Sequence, residues 1–209
     1  MDILDGSGIG FAAFVAGAIN AVAGGGSLVS FPALIAVGYE AKVANVTNTV
    51  ALWPGYLGGS IGYRYELERQ RQRVLQMLPA CVFGAITGSA ILLATSAEAF
   101  EAIVPYLILF ACGILALQDR ISRFVVRHHP GDGNPRFRVV LQLAIFALAV
   151  YGAYFGAGLG ILTLAVLGIL VPDDLQRSNA LKGMLSLLIN AVAVAYFALW
   201  GPVRWVPAL

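Results

Sequence analysis

Residues 17–37 read GAINAVAGGGSLVSFPALIAV and residues 154–171 read YFGAGLGILTLAVLGILV, two apolar stretches each interrupted by a glycine cluster. The runs that follow the clusters, Leu28 to Val37 and Leu159 to Val171, reach only about 15 to 20 Å as helix, short of the roughly 30 Å of a bilayer's hydrocarbon core. Glycine frees the backbone to reverse or unwind, and unwound backbone at membrane depth persists only where protein buries it or it lines a polar cavity. Each stretch is therefore expected to form a helix, a break and a half-helix, which together make a re-entrant hairpin. The first hairpin covers residues 7–38.

The composition agrees with a membrane setting. Of 209 residues, 59% are hydrophobic and 11% charged, with mean hydropathy +0.83. Soluble domains carry about 25% charge, so this chain cannot cover a globular surface with ionised groups. Disorder, collagen and coiled coils are excluded by the apolar excess and by the lack of a Gly-X-Y period or a charged heptad. A net charge of +2 is too small to imply nucleic acid. Cys81 and Cys112 lie in separate apolar segments and read as buried small hydrophobes. His128-His129 has no fixed spacing to further metal ligands. Gly156-Ala-Gly158-Leu-Gly160 lacks the βαβ surroundings of a dinucleotide site, and Asn45-Val-Thr47 is a glycosylation sequon at the start of a membrane helix. No catalytic set is visible, so neither an enzyme nor a cofactor or metal is expected.

Five further segments are expected to be helical and to span or nearly span the membrane: 44–63, 74–95, 102–117, 139–157 and 183–200, following a first helix at 8–23. Arginine placement orients them, because short basic loops stay cytoplasmic. Arg64, Arg69, Arg71 and Arg73 mark one such loop (64–73), and Arg120, Arg123, Arg127, Arg136 and Arg138 mark another (119–138). The connection between the two intervening helices carries only Glu98 and Glu101, as expected outside. The N-terminus is then outside as well, with Asp2 and Asp5, and no basic residue precedes the first apolar run to make a signal peptide.

A shift of 134 positions superposes Gly24 on Gly158, Gly26 on Gly160, Leu28 on Leu162, Val37 on Val171 and Asn45 on Asn179. The first copy starts outside and the second inside, which predicts an inverted-topology repeat of the kind found in secondary transporters. The expected architecture is all-α: a polytopic bundle with a first repeat over 1–118, a cytoplasmic basic loop over 119–138 and a second repeat over 139–209. The second copy stops two helices short of the first. Either the chain is a truncated form, or a partner subunit such as a second copy of the chain covers the open side.

Polar residues inside a bundle face its interior and mark a pathway. Asn179, Lys182, Ser186 and Asn190 fall within about 80° of arc, and Asn45, Asn48 and Thr49 within about 100°. With a repeat axis in the membrane, these stripes are expected to face each other. Lys182 is the sharpest of them, since an ammonium at membrane depth costs about 2.5 to 3.5 kcal/mol unless paired or hydrated. An anionic substrate could neutralise it; the other reading has Lys182 snorkelling to the interface or pairing with Asp173 or Asp174. The half-helix starts near Ser27 and Leu159 would add N–H groups and positive dipole ends for an anion. The candidate substrate contacts are Asn20, Gly24, Gly25, Gly26, Asn45, Thr47, Asn48, Gly158, Asn179, Lys182 and Asn190. For the glycines the competing reading is close helix packing, and for the asparagines interhelical hydrogen bonding.

The chain also resembles the sulfite exporter TauE/SafE family. The resemblance rests on Gly17-Ala-Ile-Asn-Ala-Val-Ala-Gly-Gly-Gly-Ser27 with Phe31-Pro32-Ala-Leu and Ala44-Asn-Val-Thr-Asn48, and on Tyr154-Phe-Gly-Ala-Gly-Leu-Gly160 with Ser178-Asn-Ala-Leu-Lys182. It implies an inner-membrane exporter of small, often sulfur-containing anions such as sulfite or organosulfonates. The second copy departs from it in a shorter glycine run and in lacking a counterpart of Pro32, and relatives continue about two helices further. The leading expectation is export or exchange of a small anion by alternating access. From other classes, a structural or assembly subunit and an anion channel remain as alternatives.

Overall fold

The computed structural model describes residues 14–17, 19, 25–126, 135–171 and 173–208. Asn20, Gly24, the N-terminal residues 1–13 and His128-His129 lie outside the described residues. Among those described, every regular element is a helix: α1 (Ser27–Ala36), α2 (Ala41–Gly62), α3 (Arg64–Glu68), α4 (Arg71–Ala94), α5 (Ala97–Val126), α6 (Pro135–Tyr154), α7 (Leu159–Leu170), α8 (Leu175–Trp200) and α9 (Trp205–Ala208). The 134-residue shift carries the end of α1 at Ala36 onto the end of α7 at Leu170, and the start of α2 at Ala41 onto the start of α8 at Leu175.

Helix limits follow local chemistry. Gly156 (φ 77°) and Gly158 (φ 73°) adopt left-handed backbone between α6 and α7, a region where a side chain would be strained. The first cluster breaks differently, since Gly26 keeps a right-handed conformation, and the reversal after α1 falls instead on Gly38 at φ 95°. Asp174 accepts from the Arg177 N–H at 2.9 Å and so starts α8 eight residues before Gly183. Asn179 and Lys182 thus lie within its opening turns. α5 and α6 also overrun their expected limits. They take Arg120, Arg123, Arg136 and Arg138 into helix and leave residues 127–134 between them.

Among the described residues, Arg71–Ala94 and Leu175–Trp200 are long and apolar enough to cross a bilayer. α2 is as long, but it spends its length on buried polar side chains: Asn45, Thr47, Asn48, Thr49 and Ser60. Large apolar side chains such as Phe83, Tyr106, Leu109, Leu143 and Leu199 are exposed on the outside of the bundle, as suits a surface that meets hydrocarbon rather than water. Cys81 is buried as expected, but Cys112 is exposed. It sits on α5 near exposed Leu109 and Phe110, where an apolar side chain needs no protein cover.

α8 is the most connected helix, touching α2, α3, α4, α6 and α7, while α4 packs against α6 and α8 and α5 on α7. Gly84 and Gly88 let α4 and α6 touch at backbone distance. A Cβ on Gly84 would stand 2.6 Å from the Phe146 carbonyl oxygen, and one on Gly88 would overlap the Val150 carbonyl. This is small-xxx-small packing, which holds helices together by dispersion where lipid gives no hydrophobic drive. Gln142 Nε2 donates to the Gln76 carbonyl at 2.8 Å, so α4 and α6 run parallel with their arginine-bearing starts at one end. α2 runs antiparallel to α8: Thr47 accepts from the Arg204 N–H at 3.1 Å, and Ser60 lies beside Gly183.

Gly88→Ala is expected to lower the melting temperature of the detergent-solubilised chain by several degrees, because the methyl must push α4 off α6. Gly113→Ala, which meets nothing within 4 Å, is expected to leave it unchanged or raise it, alanine being about 1 kcal/mol better in a helix. Equal melting temperatures for the two variants would contradict this packing.

Candidate functional site

The two glycine breaks meet. A Cβ on Gly25 would stand 3.8 Å from Ile161 Cδ1, and Phe31 of α1 packs edge-on against Phe155 in the second break, with ring centroids 5.4 Å apart. Phe100 closes the group against Tyr154 and Phe155. Since Gly25 neighbours Ile161 while Phe31 neighbours Phe155, α1 runs antiparallel to residues 155–161. The starts of α1 and α7 therefore approach one another, and neither carries a side-chain cap. Backbone turns take part of the first-turn donors, with the Leu28 and Val29 N–H groups bonded to the Gly25 and Gly26 carbonyls and the Leu159 and Ile161 N–H groups to the Gly156 and Gly158 carbonyls at 3.0–3.1 Å, and each start keeps its positive dipole end.

Polar side chains organise this junction. Asn45 Nδ2 donates to the Tyr154 carbonyl at 2.9 Å, the Tyr151 hydroxyl donates to the Ala157 carbonyl, and Asn48 Oδ1 is buried without a hydrogen-bond partner. Thr49 and Ser30 spend their hydroxyls on carbonyls one turn back in their own helices.

The second candidate group lies elsewhere. Lys182 is 5% exposed, and its ammonium donates to Asn179 Oδ1 at 3.1 Å. Ser186 and Asn190 follow on the same face, both buried, with Asn190 Nδ2 bonded to the Ser186 carbonyl at 2.8 Å. The antiparallel packing of α2 on α8 sets Lys182 level with Ser60, about 18 Å along α2 from Asn48. In this register Asn179 and Lys182 are not level with Asn45 and Asn48, whereas Asn190 falls about level with Trp53, one turn from Thr49. The structure brings Gly25, Gly26, Asn45 and Gly158 together and keeps Asn179 and Lys182 near the other end. Thr47 belongs to neither group, its hydroxyl being taken by Arg204.

Several contacts had no signal in the sequence, because their partners are far apart along it. Lys42 donates to the carbonyls of Leu93 and Thr95 at 3.0 and 2.6 Å, covering carbonyls that the end of α4 leaves open. At the arginine end, Asp173 accepts from Arg73 and, at 3.2 Å, from Arg177, which also reaches Asp174 at 3.3 Å. Gln70 Nε2 adds a bond to the Arg177 carbonyl at 3.0 Å. Asp173 and Asp174, the expected alternative partners of Lys182, thus carry arginines. Burial alone raises the Asp173 carboxyl, but the hydrogen bonds from Arg73, the Asp174 N–H and Arg177, with the Arg73 charge, more than reverse this and hold it below the usual carboxylate range.

Residues 9–209 match the family described as Sulfite exporter TauE/SafE. The chain belongs to that family. It is 26% identical over 198 residues to a "Probable membrane transporter protein" of Haemophilus influenzae, covering 92% of this chain and 73% of the relative. It is 27% identical over 204 residues to "Probable membrane transporter protein ORF9" of a Sinorhizobium species (93% and 72%) and 24% identical over 199 residues to "Probable membrane transporter protein YfcA" of Escherichia coli K12 (93% and 71%). No solved structure gives a significant match. The relatives it matches are named probable membrane transporter proteins.

The lowered Asp173 value sets a pH dependence. A carboxyl depressed in the folded state contributes stability above its unfolded value of about 3.9 and loses it as pH falls through the folded value. The melting temperature of the wild-type chain is expected to exceed that of Asp173→Asn near neutrality, with the gap closing below about pH 4. A gap that does not change between pH 7 and pH 3 would remove the ion cluster from the stability of this end.

Proposed function

We propose that this chain exports or exchanges a small anion, sulfite or an organosulfonate, by alternating access of two inverted repeats over 1–118 and 139–209. The observation that carries the reading is the meeting of the two glycine breaks, where two uncapped half-helix starts face one another with Asn45 and Asn48 alongside. The positive dipole ends of the two starts suit an anion, while the Leu28, Val29, Leu159 and Ile161 N–H groups are held by glycine carbonyls. Lys182 supplies the full positive charge at the opposite end of the α2–α8 contact, so an anion moving between the two groups follows the polar side of that contact.

The coincidence of helix limits under the 134-residue shift and the antiparallel course of α2 and α8 support the inverted repeat. The second glycine hairpin begins with α6 at the arginine end and returns there, through α7, to Asp173 beside Arg73. This supports a re-entrant hairpin. The gathering of Arg69, Arg71, Arg73, Arg136, Arg138 and Arg177 at one end supports a multi-pass chain in the inner membrane, with 64–73 and 119–138 cytoplasmic and the N-terminus outside. Asn179, Lys182 and Asn190 are the second set of substrate contacts, and Asn20 and Gly24 belong with the first by sequence position.

The test is counterflow of labelled sulfite, or of a small sulfonate, in proteoliposomes. Saturable exchange is expected from the wild-type chain, with loss to the level of protein-free vesicles in Lys182→Ala. Flux that neither saturates nor shows counterflow would instead indicate a channel, and undiminished exchange in the variant would remove Lys182 from the pathway.

A further inference from the structure

Four polar atoms on α2 and α8 are buried without a hydrogen-bond partner: Asn48 Oδ1, Trp53 Nε1, Ser60 Oγ and Ser186 Oγ. Leaving a polar atom buried and unpaired costs about 1–3 kcal/mol, and serine inside a helix ordinarily avoids this by bonding to the carbonyl one turn back. Thr49 and Thr163 do so here. Ser60 and Ser186 do not, although they are only 7% and 1% exposed.

Gly183 links the two hydroxyls, with Ser60 across from it on α2 and Ser186 three residues further along α8. Ser60 Oγ lies 3.9 Å from the point where a Cβ of Gly183 would stand, at ordinary van der Waals distance, so the hydroxyl borders the open space over Gly183. Gly183 follows Lys182, and Ser186 lies one turn beyond Lys182 and about 40° around α8. Two O–H donors thus flank the position after a buried ammonium. We propose that Ser60 and Ser186 form a hydroxyl subsite at the α2–α8 contact that binds the oxygens of a small oxyanion whose charge Lys182 balances. The proposal rests on the anion-transport reading for its ligand class and adds two residues to it, one of them, Ser60, from the first repeat. A sulfite or sulfonate group has three oxygens, enough to engage both hydroxyls and the ammonium together, and bonds to a charged partner are about twice as strong as neutral ones.

Two experiments on the full chain test this. In transport, Ser60→Ala and Ser186→Ala are each expected to raise the sulfite concentration for half-maximal counterflow by about tenfold, the loss of one hydrogen bond to a charged group, with the maximal rate kept. A half-maximal concentration equal to wild type in both variants overturns the subsite while leaving transport standing. The second experiment needs no transport. Ser60→Cys and Ser186→Cys are prepared in a Cys112→Ser chain in nanodiscs, with that parent measuring any reaction of buried Cys81, and labelled with N-ethylmaleimide. Methanesulfonate is expected to slow labelling of both thiols relative to chloride at equal ionic strength, and the added Lys182→Gln change to remove that protection. Equal rates in the two salts, or thiols that do not react at all, overturn the subsite. Protection without any sulfite exchange leaves the oxyanion subsite standing and removes the transport reading instead.

Discussion

The hydrogen bond from the Asn45 amide to the Tyr154 carbonyl joins the two halves of the chain at the point where both are weakest. A helix broken inside an apolar bundle leaves carbonyls and N–H groups that neither lipid nor a neighbouring aliphatic chain can satisfy. At the second break Asn45 takes one of these carbonyls and the Tyr151 hydroxyl another, while the left-handed glycines turn the chain without strain. The ring of Phe155, released from α6, can then lie against Phe31 of α1 and bring the first glycine cluster to the second. The approach of the two half-helix starts follows from that docking.

The rest of the bundle holds the junction in place from its two ends. At one end the Lys42 ammonium closes the terminus of α4. At the other, Arg73 and Arg177 share Asp173, tying the start of α4 to the turn between α7 and α8. Between them, α4 and α6 approach through Gly84 and Gly88 as closely as backbones allow. α4 is thereby fixed along its length against α6 and α8, and α2 and α7 pack in turn on α8.

Much of the frame was legible beforehand. The short apolar runs after each glycine cluster became α1 and α7, the 134-residue shift aligns the ends of α1 and α7 and the starts of α2 and α8, and Arg73 and Arg177 meet at one end. Other features were out of reach. The junction depends on an amide and a carbonyl 109 residues apart, and the ion cluster on an arginine and an aspartate separated by 100. Ser60 looked like one more small residue in Gly58-Gly-Ser-Ile, and only its place beside Gly183 gives it meaning.

The sequence by itself determined that this is a membrane protein whose described elements are all helical, because hydropathy and backbone freedom are local properties that each residue carries into any fold. It also marked which side chains were too polar to face lipid. Which of those side chains meet was decided only by the tertiary structure. Packing α2 antiparallel to α8 set Asn48 and Lys182 about 18 Å apart along the bundle, since the relative direction of two helices is set by how their surfaces and ends dock.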